Sequence, residues 1–339
     1  MKNILFIALA AVIITGCDND EPDNPDNPEA PPSVYVVGHE VNAQGTSVAT
    51  LWKDGVVQYM SDGSYPASTN AVYVSGSDVY VAGYTTLIPG QKFITLWKNN
   101  VPLQYMSGTE GEVYGAYVSD GNVYVAGAEV VADKYAATLW CNGIPQRLEQ
   151  EAPVAIAYSV YVEGDNVYVA GTALINARGA ILWRNGVAQI LNIEGRLAGA
   201  AAVYVSGSNV YVVGFEVNEE GKRVPTLWRN GAAQYLSSEG KIAYAYAISV
   251  SGSDVYVAGY EQNAEGKEVA VLWKNGEAQP HTGSYNGRIT HVCLHGSDLY
   301  AAGYEQNAEG KEVAVLWKNG EAQYLSGNKE SRANYVFVK

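Results

Sequence analysis

From Val34 onward, short apolar runs alternate with polar punctuation, and the whole pattern returns at a fixed interval. The seven tryptophans mark it, at Trp52, Trp97, Trp140, Trp183, Trp228, Trp273 and Trp317, with gaps of 45, 43, 43, 45, 45 and 44 residues. A period of this size means that one supersecondary unit is repeated in tandem, because no such unit buries its apolar face alone. Residues 245–288 show the unit best: AYAISVSG, SDVYVAGYE, VAVLWKNG and a shorter EAQ run. Val255-Tyr256-Val257 and Val269-Ala270-Val271-Leu272-Trp273 are β-branched and aromatic, too short for helices and bounded by turn residues, so they predict strands. The second run ends in glycine in every unit, at Gly38, Gly83, Gly127, Gly171, Gly214, Gly259 and Gly303. Behind each tryptophan stands a hairpin signal such as Lys53-Asp54-Gly55, Arg184-Asn185-Gly186 or Lys274-Asn275-Gly276, with Lys98-Asn99-Asn100 the imperfect member. Asn-Gly and Asp-Gly accept the positive φ of a two-residue type I′ turn. A second tight turn, Ser75-Gly76-Ser77-Asp78 and its equivalents, joins the first strand to the second. Each unit therefore predicts a four-stranded antiparallel meander.

The two ends of the series are complementary. The first unit opens at Ser33-Val34-Tyr35-Val36-Val37-Gly38, already a second strand, and the chain closes on Ala333-Asn334-Tyr335-Val336-Phe337-Val338, which matches a first strand. Seven meanders closed in this way predict an all-β, seven-bladed β-propeller over residues 34–339, its ring completed by the C-terminal strand joining the N-terminal blade. The chain resembles bacterial propeller-repeat lipoproteins, whose short repeats share a VYVAG-like core with the GSDVYVAG segment here. The signatures of YWTD, WD40 and kelch propellers are not matched, so no activity of those groups is implied.

Residues present in every blade read as architecture. The tryptophans are expected to wedge between blades rather than stack on sugars, since each lies in an apolar Leu-Trp run. The recurring Gln58, Gln104, Gln146, Gln189, Gln234, Gln279 and Gln323 are expected on the outer strand, facing water or a neighbouring blade. Residues 258–279 and 302–323 are identical, through a recent duplication or exchange between repeats, which argues against a unique catalytic group in either span. Variation collects in two loop sets that emerge on one face: the second-to-third strand loops, such as Glu40 to Ser47, Thr85 to Lys92, Glu129 to Tyr135 and Glu216 to Arg223, and the links between blades. One position at the start of the innermost strand, near the channel mouth on that face, holds Asn334, Asn70, Tyr114, Tyr158, Ala201, Tyr246 and Thr290. Tyrosines among amides suit stacking on sugar rings while donating hydrogen bonds, with inter-blade packing the alternative. His281, Arg288 and His291 form a polar group near the same mouth.

The first residues change the picture of where the ring resides. Lys2, an apolar run from Ile4 to Ile14 and then Ile14-Thr15-Gly16-Cys17 read as a cleaved signal segment, residues 1–16. The four residues ending at Cys17 resemble the lipobox of bacterial lipoproteins, which implies lipidation of Cys17 and anchoring in a membrane, here the outer membrane. Residues 17–33 are rich in Asp, Asn and Pro and are expected to form a disordered acidic tether. The acidic cluster behind Cys17 is similar to export signals of surface-exposed lipoproteins; a periplasm-facing location is the alternative. The net charge of −14 and the lack of clustered Lys and Arg argue against nucleic acid as a partner. Cys141 and Cys293 fall at unmatched places in their repeats, so no disulfide framework is expected. No spacing suggests a metal or a cofactor, and no nucleophile elbow, phosphate loop or Ca²⁺ loop occurs. The sequence thus predicts a surface-anchored, non-catalytic binding scaffold for a glycan or protein, carbohydrate binding included. An extracellular polysaccharide hydrolase or lyase on the same scaffold is the alternative, since loop-face carboxylates such as Glu110, Glu112 and Glu149 could supply an acid and a base.

Overall fold

A computed structural model describes residues 31–88, 90–103, 110–149, 152–175, 177–192, 195–237, 241–280 and 286–339. Seven four-stranded antiparallel sheets stand around a central channel, and no helix occurs among the described residues. In blade 1 the order is β28 (Ser331–Val338), β1 (Val34–Val41), β2 (Ser47–Lys53) and β3 (Val56–Tyr59), from the channel outward. The last strand of the chain is therefore the innermost strand of the first blade, paired from Val34↔Val338 to Glu40↔Ser331. Blades 2 to 7 are formed in chain order, with innermost strands β4 (Ala67–Ser75), β8 (Gly111–Ser119), β12 (Ala155–Glu163), β16 (Ala198–Ser206), β20 (Ala243–Ser251) and β24 (Gly287–His295).

The turns behave as their residues require. Every hairpin behind a tryptophan carries two successive positive φ angles, for example 54° and 87° at Asn275 and Gly276, or 51° and 65° at Asn99 and Asn100. The first turn residue does more than tolerate this geometry. Its side-chain oxygen accepts the N–H near the start of the second strand in all seven blades, from Val34 to Asp54 at 2.7 Å through Val255 to Asn275 at 2.9 Å. All seven tryptophans lie on the third strand and are at most 2% exposed. Because the four strands alternate in direction, both tight turns fall on one face, the turn face. The second-to-third strand loops and the blade links fall on the other, the loop face.

Several strands run further than the polar residues at their ends suggest. β5 (Asp78–Ile88) and β9 (Asn122–Val131) extend past Thr85 and Glu129, and the expected loop from Glu129 to Tyr135 is a tight turn at Ala132 and Asp133, with φ of 48° and 62°. Glutamate and threonine are held in strands here because the partner strand supplies their backbone bonds.

Candidate functional site

The channel wall is built by a repeated irregularity. In each blade the innermost strand carries one extra residue against its partner, a β-bulge. The extra residues are Asn334, Asn70, Tyr114, Tyr158, Ala201, Tyr246 and Thr290, the ring position singled out from the sequence. The recurring glycine of the second strand makes the bulge possible. A Cβ at Gly259 would lie 1.9 Å from the Tyr244 carbonyl oxygen, and the other six glycines meet the equivalent carbonyl at 1.9–2.2 Å. The bulge residues are half-buried and line a cavity of about 150 Å³ in the channel.

Three residues further along each innermost strand, toward the turn face, lies a second ring that the sequence reading passed over. It comprises Phe337, Tyr73, Tyr117, Tyr161, Tyr204, Ser249 and Cys293. The five aromatics form a continuous arc with neighbouring ring centroids 4.8–5.0 Å apart and tilted by 46–50°. Phe337, Tyr73, Tyr117 and Tyr161 are only 6–9% exposed although they line the channel, so they fill it. The channel is thus a cup, floored on the turn-face side and lined by the bulge ring on the loop-face side. The signal for the floor was the aromatic in Val72-Tyr73-Val74 and its equivalents, which reads equally as strand propensity.

Within the bulge ring the amides cluster and the phenols pair. Asn334 Nδ2 donates to Asn70 Oδ1 at 3.1 Å and to the Thr69 carbonyl at 2.9 Å, while Asn70 Nδ2 donates to the Val113 carbonyl at 2.8 Å. Tyr114 and Tyr158 lie side by side, with centroids 5.0 Å apart, and the Tyr114 hydroxyl donates to Glu112 at 3.0 Å. Burial pushes the phenols of Tyr114 and Tyr246 well above their ordinary range, so both stay protonated. The Thr290 hydroxyl is held by the Ala302 and Ala333 carbonyls at 2.9 Å.

The polar group expected around blade 7 is differently deployed. Arg288 grips Glu268 of the preceding blade with both ends of its guanidinium and lies 4.8 Å over the Tyr260 ring, so it closes a seam between blades. It still reaches the cup, donating to the Tyr246 hydroxyl at 3.0 Å. Arg332, Glu312 and Tyr304 repeat the arrangement one blade on, and Lys92, Glu112 and Tyr84 repeat it with the charges exchanged between strands. His291 lies in the cup wall, stacked on Tyr335 with centroids 3.4 Å apart, and burial pulls its pKa down to about 3. It is a neutral wall group. His281 and Cys17 lie outside the described residues.

Away from the cup, the loop face carries a wider groove of about 870 Å³ between blades 7 and 1, lined by Asn42, Tyr59, Asp62, Lys311 and Lys329. Under it Glu40, 3% exposed, accepts from Tyr59 and Lys329. Glu129, Glu216, Glu261 and Glu305 are buried at the same repeat position and are likewise held, by Arg147, Tyr235, Lys241 and Tyr324. These carboxylates fasten the outer strands and links, satisfying buried charge. The recurring outer-strand glutamine also serves packing: Gln58 Oε1 accepts from Asn100 of the next blade at 3.0 Å. No cluster of three or more potential metal ligands occurs among the described residues.

No family model matches the sequence, and no curated protein does. Among solved structures, a puromycin hydrolase mutant complexed with PGG is similar with a TM-score of 0.59 at 10% identity, over 89% of this chain and 54% of that one. A puromycin-hydrolyzing peptidase from Mycobacterium tuberculosis is similar with a TM-score of 0.50 at 10% identity, over 87% of this chain and 53% of that one. The chain spans about half the length of each, and the likeness is one of fold.

Proposed function

We propose that this protein is a non-catalytic recognition module that binds a glycan in the cup of its central channel. The observation that carries the reading is the bulge ring: seven half-buried positions converge on one cavity and present phenols, amides and a hydroxyl above an aromatic floor. Such a mixture fits the two faces of a sugar, apolar C–H patches against aromatic rings and hydroxyls against neutral hydrogen-bonding groups. The wall favours binding over chemistry. The phenols remain protonated, His291 stays neutral, Arg288 is engaged by Glu268, and no carboxylate lines the cup among the described residues. The hydrolytic names of the two structural neighbours do not bear on this site, because nearly half of each lies outside the match.

The surface-anchored part of the reading rests on residues 1–33 and gains support from where the ring is joined to them. Ser33 and Lys339 exchange backbone hydrogen bonds at 2.6 and 3.0 Å, and Lys339 Nζ donates to the Gly76 carbonyl, a turn-face residue. A tether ending at Ser33 would depart from the turn face, so that an anchor at Cys17 would leave the cup free to open away from the membrane.

Glycan-array screening of the purified chain, followed by calorimetry on the hits, tests the binding reading. Tyr114→Ala and Tyr158→Ala should each weaken binding by about tenfold or more, the effect of removing an aromatic contact. An array with no hit, or a hit indifferent to both substitutions, would overturn it.

A further inference from the structure

We infer that the cup recognises the end of a neutral glycan, one terminal sugar ring, with the rest of the chain leaving through a notch over Ala201. This inference rests on the glycan-binding reading and sharpens it.

The size and closure of the cup set the first limit. A cavity of about 150 Å³ accommodates a single small ring. The aromatic arc from Phe337 to Tyr204 fills the channel below it, so a chain cannot thread through. What enters must stop there, which only a terminal residue can do.

Hydrogen-bond accounting sets the second. Asn70 has both ends of its amide engaged, by Asn334 and by the Val113 carbonyl. Asn334 spends its NH₂ on Ser68, Thr69 and Asn70, leaving Oδ1 as an acceptor. Tyr114 gives its proton to Glu112 and offers only lone pairs, whereas Tyr246 accepts from Arg288 and keeps its proton to donate. The wall therefore presents acceptors on one side and a donor on the other, without net charge. A sugar hydroxyl, both donor and acceptor, meets either side. A carboxylate would find one donor, Tyr246, and otherwise the lone pairs of Asn334 and Tyr114, while the nearby cations Arg288 and Lys92 are already paired with Glu268 and Glu112, so its desolvation is not repaid.

The exit follows from the ring order. Six of the seven bulge positions carry a polar side chain, and the seventh is Ala201, between Tyr158 of blade 4 and Tyr246 of blade 6. Behind it Ala198, Gly199 and Ala200 are buried, with the Phe215 ring packed over Gly199, so the gap is only the one left by the missing side chain at Ala201, which is itself half-buried. Two phenol walls with a methyl between them leave one low point in the rim, and the substituent on the bound ring passes there.

The test uses the full chain and a defined panel: the methyl glycosides of glucose, mannose, galactose and N-acetylglucosamine, their di- to hexasaccharides, and glucuronic acid, measured by calorimetry. A neutral glycoside should bind, and affinity should stop rising after the disaccharide. Ala201→Tyr installs the side chain that blades 3, 4 and 6 already carry at this position, its urea midpoint is compared with that of the parent, and Ala201→Asn, the side chain of blades 1 and 2, serves as a smaller second variant. Ala201→Tyr should weaken the oligosaccharides by about tenfold while changing the monosaccharide by less than roughly threefold. Affinity that climbs with every added sugar, indifference of the oligosaccharide to Ala201→Tyr, or a preference for glucuronic acid overturns end recognition. If those results come with loss of binding in Tyr114→Ala, glycan binding in the cup stands and only the terminal, neutral specificity falls. If no panel member binds, both fall.

Discussion

At Gly259 the backbone of one strand lies so close to the Tyr244 carbonyl that no side chain can be added without moving the bulge. Gly259→Ala should cost about 3 kcal/mol, the upper range for an overpacked site, whereas Gly252→Ala, in open space at φ 55°, should cost about 1 kcal/mol through backbone strain alone. Urea denaturation of the two variants separates a steric from a conformational role; equal losses would refute the contact argument. The histidines make a second prediction. Burial lowers His291 to about 3 and His39 to about 4, from an ordinary value of 6.5, with Arg332 also lowering His39 and Glu312 opposing. Below about pH 6.5 the unfolded chain takes up protons that the folded chain refuses, so stability falls as pH drops through that window toward 4 and 3. At pH 5 each histidine costs about 2 kcal/mol relative to neutral pH, and His291→Gln should remove about that much of the difference between unfolding free energies at pH 7 and 5. An unchanged difference would mean that His291 is hydrated in the folded state. Sequence reasoning located the ring of Asn70, Tyr114 and their equivalents as one recurring position at the start of the innermost strand, but it missed why they project inward. A bulge residue has no local signature; the glycine opposite it does, and that glycine reads from sequence only as the end of a run. Arg288 looked like a loop-face ligand group because its partner Glu268 belongs to the preceding blade, a pairing that no local pattern reveals.

At the scale of the element, the hairpin behind each tryptophan was legible almost in full, since Asn-Gly encodes both the turn type and its length. What the residues did not announce is the second bond made by the same side chain. Asn275 holds a φ of 54°, accepts from Val255 N–H at 2.9 Å and donates to Asp254 at 2.9 Å. Asn275→Ala loses the side chain that tolerates this backbone and both bonds, and should cost about 2 kcal/mol. The equivalent Asn230→Asp in blade 5, whose neighbour Asn209 is neutral where Asn275 faces the Asp254 carboxylate, should cost less than half of that, because Asp54 fills the same role in blade 1 with its carboxylate accepting from Val34 at 2.7 Å. Thermal unfolding of the pair distinguishes the roles: if aspartate is as damaging as alanine, the turn rather than the bond to the second strand carries the stability. The seams were less legible than the turns. Arg288 with Glu268 and Lys92 with Glu112 perform the same stapling with opposite polarity, so the pattern is a complementarity between blades and has no fixed residue at either position.

For the whole molecule the decisive joint is between the first and last strands. β28 buries Ala333, Val336, Phe337 and Val338 to 6% exposure or less, and its loss would leave blade 1 with three strands and an open inner edge. The same strand supplies Asn334 and Tyr335 to the cup and Phe337 to its floor, so ring closure and the proposed binding site are one structure. Deleting residues 331–339 should therefore abolish cooperative unfolding and glycan binding together. A circular permutant distinguishes the strand's presence from the position of the chain ends. Ser33 and Lys339 already lie within hydrogen-bonding distance, so a short glycine linker can join them, with new ends opened between Gly63 and Ser64 in the link after blade 1. Every blade is then a single continuous meander, and the covalent joint replaces two backbone hydrogen bonds worth about 1 kcal/mol each. The permutant should match the parent in urea midpoint within about 1 kcal/mol and bind the same glycan with unchanged affinity. A truncated chain that melts like the parent would refute closure by the last strand. A permutant that folds but no longer binds would show instead that the cup depends on where the chain ends, and that the seam of blade 1 belongs to the recognition surface.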